Sequence, residues 1–145
     1  MQTEMAKIQL FSVGTERWGV ATDHVMTIAG WREPAALPHA PAPVLGVVSI
    51  QGRMLTVLDL AKLFGAEDKT NSTHILALRG DEQLALAITE PGEVTELSAA
   101  EKPNGTEHNL VARVITKDDV EIRILNVKEL FGTAIHGRER RRRRF

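Results

Sequence analysis

Residues 43–65 read PVLGVVSIQGRMLTVLDLAKLFG, and this segment predicts a β-hairpin followed by a short helix. Val44 to Ile50 is a nearly continuous apolar run, which predicts a strand buried on both faces. Gln51-Gly52 predicts a tight turn, because glycine readily adopts the positive φ that a hairpin needs. Met54 to Leu58 is a second apolar run and supplies the returning strand.

The helix that follows is predicted from its two ends. Asp59 can cap it, because its carboxylate can accept the unpaired N–H groups of a first helical turn. Leu60, Leu63 and Phe64 form its apolar side, and Gly65 is a natural terminator.

A second copy of this unit lies later in the chain. Residues 111–132 read VARVITKDDVEIRILNVKELFG, with Asp118-Asp119 at the turn and Asn126 at the cap position. Leu58, Leu63, Phe64 and Gly65 recur 67 positions later as Leu125, Leu130, Phe131 and Gly132. A repeat at half the chain length indicates duplication into two similar lobes, with chance similarity of a common strand–helix ending as the alternative.

The remaining segments predict further short strands. They are expected at residues 7–13, 17–21, 26–31, 74–78, 84–89 and 93–97. Residues 33–43 hold four of the six prolines and predict an irregular connector. This pattern predicts an all-β protein of two small barrels with short helices. In the first strand the apolar phase shifts between Leu10 and Phe11, which predicts a bulge or contacts to both lobes.

Composition bounds the class of protein. The chain has 145 residues, 43% of them hydrophobic, and no cysteine. No apolar run approaches the ~20 residues of a membrane span, and the N-terminus lacks the pattern of a signal peptide. These features predict a globular protein of a reducing cytoplasm.

The chemistry of an enzyme is not indicated. The sequence holds no phosphate-binding glycine loop, and none of its five histidines stands at metal-ligand spacing from another. We therefore predict no cofactor, no metal, no small-molecule substrate and no catalytic activity. Trp18 and Trp31 are predicted to pack in the core or in a groove, because aromatic residues make up only 4% of the chain.

The last nine residues, GRERRRRRF, are strongly basic. They carry a charge of +5, so the rest of the chain carries −6 within the net charge of −1. This tail could bind nucleic acid or an anionic surface, or it could be a disordered solubilising extension or a contact for an acidic partner. Its candidate residues are Arg138, Arg140, Arg141, Arg142, Arg143 and Arg144.

The segment from Ala40 to Gly65 resembles the central signature of the CheW family, the coupling proteins of bacterial chemotaxis. LFSVGTERWGVATDHVMTI resembles the opening of that family, and THILALRGDEQLALAITEPGEVTEL resembles its second hairpin. The resemblance covers about residues 8 to 132. It implies two packed five-stranded barrels of the Src-homology-3 type, which we assign to residues 8–66 and 67–132, with terminal segments that can cross between them. Residues 133–145 are then a basic, disordered tail.

The function that the resemblance implies is that of a non-catalytic adaptor in chemotaxis or motility signalling. Its partners would be the cytoplasmic tip of a methyl-accepting chemoreceptor and the regulatory domain of a CheA-type histidine kinase. The protein would be cytoplasmic and recruited to membrane receptor arrays. The alternative function is a small β-barrel that binds nucleic acid or an anionic surface through its arginine-rich tail, and it is disfavoured.

By family position, the candidate receptor-binding groove consists of Val25, Ile28, Gly46, Val48 and Gln51. Gly46 would let a receptor helix approach closely, or it would simply begin a strand. Val25 and Ile28 could equally belong to the core. The chain departs from the family pattern at four positions. Gln51 stands where the family usually has Arg and Thr56 where Pro is usual, and Ala85 and Thr89 replace Gly and Asp.

Overall fold

The computed structural model describes residues 5–64, 71–98 and 110–130. This part of the chain contains ten strands, a 3-10 turn at Thr22–His24, a short helix α1 at Leu60–Leu63 and a helical turn at residues 127–130. The strands are β1 Met5–Val13, β2 Glu16–Ala21, β3 Val25–Gly30, β4 Val44–Ile50, β5 Arg53–Leu58, β6 His74–Leu78, β7 Leu84–Ile88, β8 Glu90–Ser98, β9 Val111–Lys117 and β10 Val120–Leu125. In these ranges no helix is long and apolar enough to cross a membrane.

The strands form two five-stranded sheets. Sheet A has the order β8-β1-β2-β10-β9, and sheet B has the order β3-β6-β7-β5-β4. Each sheet contains one parallel pair, β2 with β10 and β5 with β7, among otherwise antiparallel neighbours. The predicted all-β class with short helices is confirmed.

The two sheets do not coincide with the two halves of the sequence. Sheet B takes its strands from residues 25–88, whereas sheet A combines residues 5–21 with residues 90–125. The chain leaves sheet A after β2 and returns to it after β7. The division that we predicted, at residue 66, therefore separates strands that pair with each other, because β5 pairs with β7 and β2 with β10.

Each half nevertheless repeats one order of elements. A hairpin, a single strand, a second hairpin and a helical turn follow one another in residues 5–64, and the same order returns in residues 71–130. The first hairpin of each half lies in the same sheet as the last three strands of the other half. The two repeats therefore interlock.

The largest apolar cluster lies between the sheets and joins them. It includes Phe11 and Trp18 from sheet A, together with Leu76 and Leu86 from sheet B, all at most 2% exposed. Separate clusters fill the other face of each sheet.

Strand β7 shows how the two faces of sheet B are used. Its large side chains, Leu84, Leu86 and Ile88, enter the cluster between the sheets. Its small side chains, Ala85 and Ala87, enter the cluster on the opposite face. The alternation of large and small residues thus matches a strand with one close-packed face.

The phase shift of β1 has both of its predicted causes. The register of β1 against β8 is interrupted between Gln9 and Phe11. Leu10 consequently packs in the cluster inside sheet A, whereas Phe11 packs between the sheets.

The open edges of the two sheets are bridged in different ways. In sheet A the Lys117 ammonium of β9 lies 3.0 Å from Glu93 and 3.3 Å from Thr95, both on β8. In sheet B the segment after β3 crosses to the free edge of β4, where Ala35 and Val47 exchange two backbone hydrogen bonds. In sheet A a side-chain contact thus connects β9 with β8, and in sheet B the connector pairs with the free edge of β4.

Two predictions about burial were wrong. Strand β4 is not buried on both faces, because Ser49 within it is exposed. Trp31 is 36% exposed, and its indole N–H lies 3.4 Å from a carboxylate oxygen of Glu33. The prediction for Trp18, which is 2% exposed in the core, is confirmed.

Candidate protein-binding site

The exposed turn between β4 and β5 is the centre of the candidate site. Gln51 and Gly52 have φ values of 52° and 77°, so both central residues are left-handed, as a two-residue hairpin turn requires. Both are exposed. The Gln51 side chain therefore stands at the tip of a hairpin and is available to a partner.

The guanidinium of Arg53 fixes the base of this turn. It donates a hydrogen bond to the Gly80 carbonyl at 2.9 Å, in the β6–β7 connection, and a second nitrogen lies 3.9 Å from the sulfur of Met26 on β3. One side chain of β5 thus contacts edge strand β3 and the β6–β7 connection. The position of the Gln51 turn relative to β3 is thereby set by the fold.

Gly46 meets this chain's own backbone. Its φ is 143°, and a Cβ built there would lie 2.3 Å from the Ala35 carbonyl oxygen. The close approach that glycine permits is made by the Pro34-Ala35 segment as it covers the edge of β4. Sequence reasoning found the glycine, but it could not see which segment approaches it.

The other three predicted groove residues differ in environment. Val25 and Ile28 on β3 are half-buried and pack against the cluster between the sheets. Val48 is only 5% exposed and belongs to the cluster on the opposite face of sheet B. Of the five predicted residues, Gln51 alone is exposed; Gly46 and Val48 are buried.

Sequence reasoning missed three residues beside the turn. Ser49 and Met54 are cross-strand partners, and Met54 is 56% exposed. Arg32 reaches the other flank of Ser49, where one guanidinium nitrogen donates a hydrogen bond to the Ser49 carbonyl. The apolar run from Met54 to Leu58 carries no signal that Met54 is exposed while Leu55 is buried. Nothing local marks Arg32, because it is brought here by the path of the connector.

Asp59 has the structural role that its position predicts. One of its carboxylate oxygens accepts hydrogen bonds from the backbone N–H groups of Ala61 and Lys62, at 3.0 and 3.4 Å. Asn126 does the same for the later helical turn, accepting from the Glu129 N–H at 3.4 Å. Both carbonyl-containing side chains act as helix caps.

A surface cavity of about 330 Å³ lies where β2 and β10 begin. A salt bridge of 2.7 Å between Glu16 and Arg123 forms part of its wall, and Arg123 also lies over the ring of Trp18 at 5.8 Å. Arg17, Asp119 and Glu121 add charges of both signs. Arg123 therefore lies between this cavity and the buried Trp18 ring.

The described residues contain no group of three or more His, Asp or Glu side chains that could hold a metal ion. The arginines of the tail, from Arg138 to Arg144, lie outside the described residues.

The described structure is that of a two-sheet β scaffold whose repeats interlock. The family model described as "CheW-like domain" matches residues 7–134. This chain belongs to that family. The resemblance seen in the sequence is therefore confirmed.

Individual relatives agree with this assignment. The "Probable chemotaxis protein CheW" of Rhizobium etli is 38% identical over 55 residues, which cover 38% of this chain and 36% of that protein. The "Chemotaxis protein CheW" of Rhizobium meliloti is 38% identical over 91 residues, covering 61% and 59%. The chain thus spans 36% and 59% of the lengths of these two curated relatives. The protein of the same name from Bacillus subtilis is 22% identical over 127 residues, covering 83% and 81%.

A solved structure shares the fold. The scaffolding protein TtCheW from Thermoanaerobacter tengcongensis superimposes with a TM-score of 0.73 at 22% identity, covering 85% of this chain and 90% of that one.

Proposed function

We propose that this chain is a non-catalytic chemotaxis adaptor that couples the cytoplasmic tip of a chemoreceptor to the regulatory domain of a CheA-type histidine kinase. The observation that carries the proposal is the CheW-like match across residues 7–134, which includes every strand from β2 to β10. The chemotaxis role belongs to the family, and the choice of partners is our inference from it. In this role the protein is cytoplasmic and is recruited to receptor arrays at the membrane.

The fold supports an adaptor physically. An adaptor has to hold its binding surfaces in fixed relative positions, and here one apolar cluster joins both sheets. A small shift of one sheet against the other would separate side chains that are closely packed in this cluster. Both sheets would then lose packing contacts. Surfaces on the two sheets are therefore held in one arrangement.

The receptor partner is expected to be a helical hairpin. An amphipathic helix binds by placing its apolar stripe on a matching surface. The Gln51 turn, with β3 tied to it through Arg53, provides that surface in our proposal. Val25 and Ile28 on β3 contribute their exposed parts, whereas Gly46 and Val48 support the surface from within.

The proposal is tested by binding and by kinase output. The purified chain is titrated with a receptor cytoplasmic fragment and, separately, with the kinase regulatory domain. It is then added to receptor-containing membranes and kinase, and the rate of kinase autophosphorylation is measured. We expect saturable binding to both partners and a change in kinase rate that requires the receptor. An absence of binding to either partner would contradict the proposal.

A matched pair of turn variants locates the receptor contact. Gln51→Asp places a negative charge at the tip of the β4–β5 turn, where Asp tolerates left-handed backbone. Asp118→Asn changes charge by one unit at the corresponding turn of the other half, where φ is 51°. We expect Gln51→Asp to weaken receptor binding and Asp118→Asn to leave it unchanged. Equal effects of the two would exclude the Gln51 turn as the contact.

A further inference from the structure

Arg32 carries a positive charge that the described structure does not neutralise. It is exposed, and the hydrogen bond to the Ser49 carbonyl uses one of the five N–H groups of its guanidinium. Among the described residues it makes no ion pair with a carboxylate. The nearby Glu33 lies within reach of the Trp31 indole instead.

The geometry of β4 explains why Arg32 is held at this point. Val47 turns its backbone N–H and C=O away from β5 and toward Ala35. Directions repeat every second residue in a strand, so the Ser49 carbonyl also faces the outer edge. Arg32 satisfies this carbonyl, and its charge is thereby fixed beside the edge strand, two residues before Gln51.

An exposed apolar side chain lies on the other flank of Ser49. Met54 pairs with Ser49 across the hairpin and is 56% exposed. Arg32, Ser49 and Met54 therefore form a row across the edge of sheet B, which we call the edge row. It presents a cation, a hydroxyl and a flexible apolar group next to the exposed Gln51 turn.

We infer that the edge row is a specificity determinant for the receptor, in which Arg32 pairs with a carboxylate on a receptor helix while Met54 contacts the apolar stripe of that helix. The inference rests on the proposed function and names the chemistry of its partner. Guanidinium and carboxylate form charge-assisted hydrogen bonds in a fixed geometry, which selects among partners as well as binding them. The row is continuous with the Gln51 turn, so one helix can contact both.

Other arginines of this region are used differently. Arg53 is held by the Gly80 carbonyl and the Met26 sulfur, and Arg79 donates to the Val25 carbonyl at 2.9 Å. Both tie elements of sheet B together. Arg32, in contrast, lies near exposed Met54. It also lies near the β4–β5 turn, which has the neutral Gln51 at its tip.

The test measures the affinity of the full chain for a receptor cytoplasmic hairpin fragment at low and moderate salt. Arg32→Ala is expected to weaken binding about fivefold at low salt, the effect of one exposed ion pair. It should also reduce the salt dependence of the association rate, because a charge at the edge of an interface mainly changes how fast the two proteins meet. Arg32→Lys should retain part of the affinity. Arg17→Ala, which removes an exposed arginine of sheet A, should bind as the unsubstituted chain does.

A double variant distinguishes a role of Arg32 in receptor recognition from a role in stabilising the edge of β4. Gln51→Arg places a guanidinium on the adjacent turn, so Arg32→Ala combined with Gln51→Arg should recover most of the lost affinity. Gln51→Arg alone is the control, because this residue belongs to the proposed contact. Recovery greater than the gain from this single variant would support the inference. Unchanged binding by Arg32→Ala would overturn it, and so would a loss that Gln51→Arg does not restore. If the unsubstituted chain does not bind the fragment, the proposed function fails, and this inference fails with it.

Discussion

Gly46 lies against the chain's own backbone, beneath the surface that we propose for receptor binding. A side chain there would have to adopt a φ of 143° and would bring Cβ to 2.3 Å from the Ala35 carbonyl oxygen. The Pro34-Ala35 segment uses that approach to pair with Val47 on the edge of β4. The surface that we propose for binding is therefore supported at a position that accommodates no side chain.

Gly46→Ala is therefore expected to lower the free energy of unfolding by at least about 2 kcal/mol, through backbone strain and the displaced Ala35 segment. Gly30→Ala is the matched control, because a Cβ at Gly30 meets no atom within 4 Å. It should change stability by less than about 0.5 kcal/mol. Urea denaturation of both variants measures the difference. Equal stability would show that β4 can shift to accommodate a side chain.

Asp59 is the second residue whose role can be tested alone. Asp59→Ala removes the acceptor for the Ala61 and Lys62 N–H groups and should cost about 1 kcal/mol. Asp59→Asn keeps an acceptor and should cost much less. Both variants are compared by thermal unfolding. A similar loss in both would mean that the charge, rather than the cap, stabilises this position.

Residue roles were predictable from sequence where the cause is local. The caps at Asp59 and Asn126 follow from their place before a helical turn. Trp31 could not be assigned correctly, because its exposure depends on how the connector crosses to β4. Arg32 was missed for the same reason.

At the scale of elements, the two equivalent turns differ in one informative residue. Gln51-Gly52 has glycine at its second position, with φ 77°, whereas Asp118-Asp119 has aspartate there, with φ 64°. Asp-Gly is a preferred pair for such turns. The second half of the chain therefore has the less favourable turn.

Asp119→Gly should stabilise the protein by about 0.5 kcal/mol, and Gly52→Asp should destabilise it by about 1 kcal/mol. Asp119→Asn removes the charge but keeps a side chain, so it separates electrostatics from backbone preference. The free energy of unfolding in urea is measured for all three. Stabilisation by Asp119→Asn equal to that by Asp119→Gly would attribute the effect to charge.

Strands and turns were predicted with small errors because their signals are contained in short segments. The bounds Val44–Ile50 and His74–Leu78 match the predicted strands. The burial of β4 was not predictable in the same way. An apolar run has the same appearance in a central strand and in an edge strand whose outer side is covered by a connector.

At the scale of the whole molecule, the interlocked repeats determine how the protein can be divided. Each sequence half leaves both sheets incomplete, and the cluster between the sheets draws on both halves. Family resemblance implied the fold, and the repeat indicated two similar lobes. Which sheet each hairpin joins depends on pairing across long separations, which local patterns do not encode.

We expect fragments 1–66 and 67–145, prepared separately, to show no cooperative unfolding transition. Mixed in equal amounts, they should recover strand circular dichroism and the fluorescence of buried Trp18. The intact chain should unfold in one transition by calorimetry, because its sheets share a core. A cooperative transition in either isolated half would support the predicted division at residue 66.

The parallel pairing of β2 with β10 also determines when sheet A can be completed during synthesis. Ile122, the neighbour of Arg17 in the sheet, is synthesised 105 residues after it. At about 5–20 residues per second, the amino-terminal hairpin waits roughly 5–20 s for its partner strand. All five strands of sheet B have been made by residue 88. During that interval the nascent chain exposes the leucine-rich face of sheet B that sheet A later covers. A chaperone that shields apolar surface is therefore needed most in this period.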